Sequence, residues 1–75
     1  MRRAILTTLH ERKDRNWSAT DLAAEVRQGS LSAVQAELDR LRVLRYIDVI
    51  PARGGPFYII QGRGQAALED DADDS

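Results

Sequence analysis

Few side chains in this sequence can do chemistry, and they carry hydrogen-bonding groups rather than catalytic ones. There is no cysteine and one histidine, His10. A nucleophilic thiol, a disulfide, a zinc–thiolate centre and a multi-histidine metal site are therefore excluded. Arg53-Gly54-Gly55-Pro56 is too short for a Walker or dinucleotide phosphate loop and follows no strand-to-helix junction. Five acids, Glu69, Asp70, Asp71, Asp73 and Asp74, crowd the end of the chain without the glycine and terminal glutamate of an EF-hand. No catalytic residue, metal ligand or cofactor is expected. What remains is recognition chemistry. The Gln35 amide presents a donor and an acceptor side by side, the Asp39 carboxylate accepts, and the Arg40 and Arg53 guanidinium groups donate in a planar fork that suits anionic or paired acceptors. Ser32, Ala33 and Ala36, interleaved with them, are small enough for close approach.

Charge is unevenly spread. The net charge of the whole chain is -1, yet residues 1 to 68 carry eleven bases against seven acids, a net of +4, and the last seven residues carry five acids and no base. The basic residues are arginines except for Lys13. A GC-rich genome produces that bias, and arginine also suits phosphate contact. The acidic end, residues 69 to 75, reads as a disordered tail after a single domain over residues 1 to 68. Such a tail serves solubility, repels a phosphate backbone, or competes as a mimic of DNA for the domain's own groove.

The elements that must position these groups follow from periodicity. At 75 residues there is room for one domain. Arg2 to Lys13 places Ile5, Leu6 and Leu9 at helical spacing. After the polar break Asp14-Arg15-Asn16, Trp17 stands alone. Ser18 and Asp21 have the spacing of a capping box, and a second helix runs from about Ala19 to Gln28 with Leu22, Ala23 and Val26 inward. Gly29 is expected to end it in the left-handed conformation. Ser30 or Ser32 caps a third helix whose stripe Leu31, Val34, Leu38 and Leu41 is the strongest periodic signal, packing against Leu22, Val26, Ile5 and Leu9. Then the period changes. Tyr46–Ile50 and Phe57–Ile60 are rich in β-branched and aromatic residues and pair as an antiparallel hairpin. Ile47, Val49, Tyr58 and Ile60 close the open end of the core. Gln61 to Leu68 is a short last helix weakened by Gly62 and Gly64. No apolar run approaches a membrane span, and the N-terminus lacks a signal-peptide cleavage site, so the expected location is cytoplasmic.

Thr20-Asp21-Leu22-Ala23-Ala24-Glu25-Val26, then Gly29-Ser30-Leu31-Ser32-Ala33-Val34, Leu38, Leu41, Leu44 and Ile47, resembles the winged helix-turn-helix of small prokaryotic, phage or plasmid transcription regulators. Phe57-Tyr58-Ile59-Ile60-Gln61-Gly62-Arg63-Gly64-Gln65-Ala66-Ala67-Leu68 is similar to the family's "YxLTxxGxxxL" ending. Two departures stand out: the spacing from Ala23 to Val34 is one residue longer than the common pattern, and Gln61 replaces a capping threonine. The fold class implied is α+β, mainly α, with three helices, a C-terminal β-hairpin wing and a short last helix. The resemblance implies a DNA-binding transcription regulator whose third helix enters the major groove of double-stranded DNA while the wing reaches the adjacent backbone or minor groove. Its DNA-binding residues would be Ser32, Ala33, Gln35, Ala36, Asp39, Arg40 and Arg53. Two-fold symmetric operators call for a homodimer, for which the amphipathic first helix is the available segment.

Each feature also has a bland reading. Gln35, Asp39 and Arg40 make an ordinary solvated helix face, and Arg53 an exposed turn. Trp17 and Tyr46 cap a core. Arg42 and Arg45 favour the helix dipole. Glu37 and Asp39 put acid where phosphates would lie. Together these keep a second function class open: a winged-helix protein–protein interaction module that does not bind DNA.

Overall fold

The computed structural model describes residues 1–71. Its elements are α1 (Arg2–Glu11), α2 (Ala19–Val26), α3 (Leu31–Val43), β1 (Ile47–Ile50), β2 (Phe57–Ile60) and α4 (Gly62–Asp71). This is a mainly helical α+β architecture in which three helices precede an antiparallel hairpin and a fourth helix packs back on α1. It is consistent with a winged helix-turn-helix. Among the described residues no helix is long and apolar enough to cross a membrane.

The core is built from one face of each helix. Ile5, Leu6 and Leu9 of α1 meet Leu22 of α2 and Val34, Leu38 and Leu41 of α3, with Trp17 and Ile47 completing the cluster. The i, i+4, i+7 spacing of Val34, Leu38 and Leu41 keeps all three on one side of α3. Leu31 does not share their burial. It lies 42% exposed in the first turn of α3, beyond the reach of the packed helices.

Helix ends follow capping chemistry. Ser18 accepts the Asp21 N–H at 3.2 Å, and Ser30 accepts the Ala33 N–H at 3.2 Å, which settles Ser30 as the cap of α3. Asp21 directs its carboxylate to Arg15 Nη2 at 3.3 Å. The second helix ends earlier than its sequence suggests, and Gly29 is not left-handed. Arg27 takes that conformation, with φ 56°, and donates its backbone N–H to Ala23. Gly29 serves packing instead, since a Cβ there would sit 3.2 Å from Ala33 Cβ. α3 closes in a Schellman motif: Tyr46 N–H donates to the Leu41 carbonyl at 2.9 Å and Arg45 N–H to Arg42 at 3.0 Å. Arg45 has φ 65°, and this reversal holds Tyr46 out of β1, which starts at Ile47.

The wing pairs Ile47 with Ile60, Asp48 with Ile59, Val49 with Tyr58 and Ile50 with Phe57. Ile47, Tyr58 and Ile60 face the core. Trp17, which carries no periodic signal, joins the hairpin through an isolated bridge. Tyr58 N–H donates to the Trp17 carbonyl at 2.8 Å, so the 14–17 connection lies along β2. On the far side, β1 is an open edge, where the Val49 N–H is taken by Asp48 Oδ1 at 2.8 Å.

α4 runs through Asp71, three residues past Leu68 and into the stretch the sequence assigns to a disordered tail. Residues 72–75 lie outside the described residues. Ala66, Ala67, Leu68 and Glu69 are strong helix formers, and Ala67 and Leu68 pack against the core, so the helix has reason to continue. It forms without a threonine at position 61 because its start is fixed by packing. The Tyr46 carbonyl accepts the Gln61 N–H at 2.9 Å, and buried Gly64 lies against that same carbonyl. A Cβ at Gly64 would overlap the Tyr46 carbonyl oxygen and press on Ile60 Cγ1 at 2.9 Å. Gly64→Ala should therefore lose about 1–3 kcal/mol to overpacking. An unobstructed helix glycine gains roughly 0.5–1 kcal/mol from the same change. Urea denaturation decides between these signs, with Gly62→Ala, where nothing lies within 4 Å, as the comparison. A more stable Gly64→Ala protein would show that α4 is not seated on Tyr46.

Candidate nucleic-acid interface

The core contacts of Val34, Leu38 and Leu41 turn the opposite face of α3 to solvent. At about 100° per residue, Ser32, Ala36, Asp39 and Val43 fall within an arc of about 60° centred on that face. Arg40 and Ala33 lie on one flank and Gln35 on the other. All of these side chains are exposed. Ser32 to Arg40 spans about 12 Å of helix axis, close to the width of a major groove. The structure thus brings Ser32, Ala33, Gln35, Ala36, Asp39 and Arg40 onto one continuous convex surface.

The electrostatics of that surface are mixed. Arg40 Nη1 lies 3.9 Å from Glu37 Oε2, one turn away. The guanidinium side chain is 75% exposed, and a pair of this kind contributes about 0–1 kcal/mol, so it orients Arg40 without consuming it. The first turn of α3, which holds Ser32 and Ala33, contains no acidic residue.

Arg53 is held apart from the α3 face by the wing. Gly55 N–H donates to the Ala52 carbonyl at 3.0 Å, and Gly54 has φ 76°, the positive value required at the third position of a type II turn. Arg53 occupies the outer corner before it. Only a residue without a side chain takes the Gly54 conformation at little cost, so the glycine fixes where the arginine projects.

Two features near this face carried no recognisable sequence signal. Val43 is 77% exposed and lies in line with Ser32, Ala36 and Asp39, although its apolar type suggests an inward position. At the flank, Arg42, Arg45 and Gln61 line an open cleft of about 440 Å³ beside Ile47 and Asp48. Arg42 and Arg45 thus share a concavity in addition to lying near the negative end of the α3 dipole.

Among the described residues, no cluster of His, Cys, Asp or Glu could hold a metal ion. His10 is exposed on α1, away from the core.

No protein-family model and no curated protein matches the sequence. The fold does have a counterpart among solved structures. The chain is similar to Bordetella bronchiseptica BpsR, a protein whose DNA binding is regulated by 6-hydroxynicotinic acid, with a TM-score of 0.81 at 17% identity over 95% of this chain. The chain spans half of that protein's length. At that identity the likeness establishes a shared fold.

Proposed function

We propose that this domain binds double-stranded DNA as part of a transcription regulator, with α3 in the major groove and the wing on the adjacent backbone or minor groove. The observation that carries this reading is the solvent face of α3. Small residues at its N-terminal end are flanked by Gln35, Asp39 and Arg40, three side chains with base-edge chemistry, over a length that matches the groove. Arg53, projected by its turn, supplies a second contact beyond the helix. The fold likeness to a protein that binds DNA supports the same reading. Two copies would meet a two-fold symmetric site.

Selection from a random DNA library, followed by titration at several salt concentrations, tests it. Gln35→Ala and Arg40→Ala should each lower affinity for the selected site by about 5- to 150-fold, the worth of one base contact of about 1–3 kcal/mol. Both should relax sequence preference. Arg53→Ala should weaken all sequences alike and reduce the log–log salt slope by about one. No DNA binding at low salt would overturn the proposal. The exposed apolar residues Val43 and Leu44 would then favour the protein-interaction reading.

A further inference from the structure

Leu31 heads the apolar stripe of α3, yet it is exposed while Val34, Leu38 and Leu41 behind it are fully buried. It is the first residue after the Ser30 cap. Arg27 to Ala33 form an exposed run in which Leu31 is the one large apolar side chain, set among Gly29, Ser30, Ser32 and Ala33. Those neighbours are too short to shield it. At about 100° per residue Leu31 lies about 40° from Gln35 and one turn before it, so the two share a flank of the helix. Among the described residues α3 leaves one other large aliphatic side chain exposed, Val43 at its far end. Val43 is about 18 Å further along the axis, more than the ~12 Å width of a major groove. Leu31 is therefore the apolar group at the end of α3 where the small residues of the proposed interface begin.

We infer that Leu31 is a specificity-determining residue that packs against the C5-methyl group of a thymine. The inference rests on the proposed DNA binding and names one base that it reads. In the major groove the thymine methyl is the apolar group that a base pair presents, so a leucine entering the groove gains from burial at thymine and not at adenine, guanine or cytosine. Gln35, on the same flank, can pair bidentately with adenine. One helical turn advances about 6 Å against 3.4 Å per base step, so the thymine lies one or two base pairs from the adenine that Gln35 reads. The first turn of α3 carries no acid to repel the backbone there. Val34, Leu38 and Leu41 seat α3 without Leu31, so a change at position 31 alters the surface that α3 presents and not its packing.

Sites selected from a random DNA library by the full chain should carry that thymine. Deoxyuridine at the same position removes one methyl group and keeps the base pair. It should weaken binding about fourfold, the worth of one buried methyl. Leu31→Ala should weaken the thymine site by at least about fourfold and bind thymine and deoxyuridine sites alike. Leu31→Met, which conserves volume and apolar character, should keep the discrimination. Gln35→Ala should weaken both sites and leave their ratio at about four, because the two contacts are separate. An unchanged ratio in Leu31→Ala overturns the inference, and so does the absence of a thymine within two base pairs of the Gln35-dependent adenine. The proposed function survives either result. No DNA binding at low salt overturns the two together.

Discussion

Leu38→Ala should lower the folding free energy by about 2–5 kcal/mol. Leu38 is fully buried and sits in the middle of α3, between Val34 and Leu41, with Ile5, Leu6 and Leu22 in the same cluster. Removing three carbons there leaves a cavity whose walls are helices, and helices cannot collapse inward without breaking their other contacts. Small domains hold only about 5–15 kcal/mol in total, so the loss is a large fraction. The melting temperature should fall by at least about 8 °C, at about 4–8 °C per kcal/mol for a domain of this size. Leu31→Ala, in an exposed first turn, should lose far less. A loss below about 0.5 kcal/mol at Leu38 would mean that α3 is not packed as described.

Trp17→Ala should cost as much or more, about 3–5 kcal/mol. Its side chain is 2% exposed, and its indole Nε1 donates to the Arg12 carbonyl at 2.9 Å, closing the C-terminal end of α1. Its backbone carbonyl holds Tyr58 of the wing. The indole therefore ties the end of the first helix, and the carbonyl ties the hairpin. Trp17→Phe separates the two roles. It keeps the aromatic packing and the backbone bridge but leaves the Arg12 carbonyl unpaired, so it should cost about 1–3 kcal/mol. Chemical denaturation gives both values. Amide exchange at Tyr58 should accelerate strongly in Trp17→Ala and only mildly in Trp17→Phe. Little acceleration at Tyr58 in either variant would show that the wing does not depend on the Trp17 side chain.

How much of this was legible in the sequence depends on how many residues carry each signal. The α3 stripe repeats over several turns, and Val34, Leu38 and Leu41 are buried as their spacing implies. Periodicity names a face but not how far along it the partner helices extend, which is why Leu31 reads as core and lies exposed. Gly29 is a reasonable place for a left-handed residue, but the reversal falls where the last turn of α2 closes on Ala23, and Arg27 happens to be there. Its Nε donates to the Ala24 carbonyl at 3.3 Å, which offsets part of the strain. A one-residue bridge such as Trp17 has no period at all. The same holds for Gly64, which looks like a helix breaker until the Tyr46 carbonyl is placed beside it. For the proposed interface, residue type puts forward Gln35, Asp39, Arg40 and Arg53, and the fold places the first three on the solvent side of α3. Val43 carries no such signal, because an aliphatic side chain on an amphipathic helix is read as inward, and only the packed fold shows that it is exposed.

The Asp48 carboxylate on the Val49 N–H has a consequence for colloidal behaviour. Tyr58 turns its N–H to Trp17, so its partner Val49 turns its own away from the hairpin, toward the open side of β1. An outward N–H on a strand carrying Ile47, Val49 and Ile50 is where a foreign strand would dock and begin sheet growth. Here that donor is already occupied by the neighbouring residue's own side chain. An incoming strand would have to displace a hydrogen-bonded carboxylate and then lie beside its charge. A short, exposed apolar ribbon is thereby made a poorer template for pairing with copies of itself.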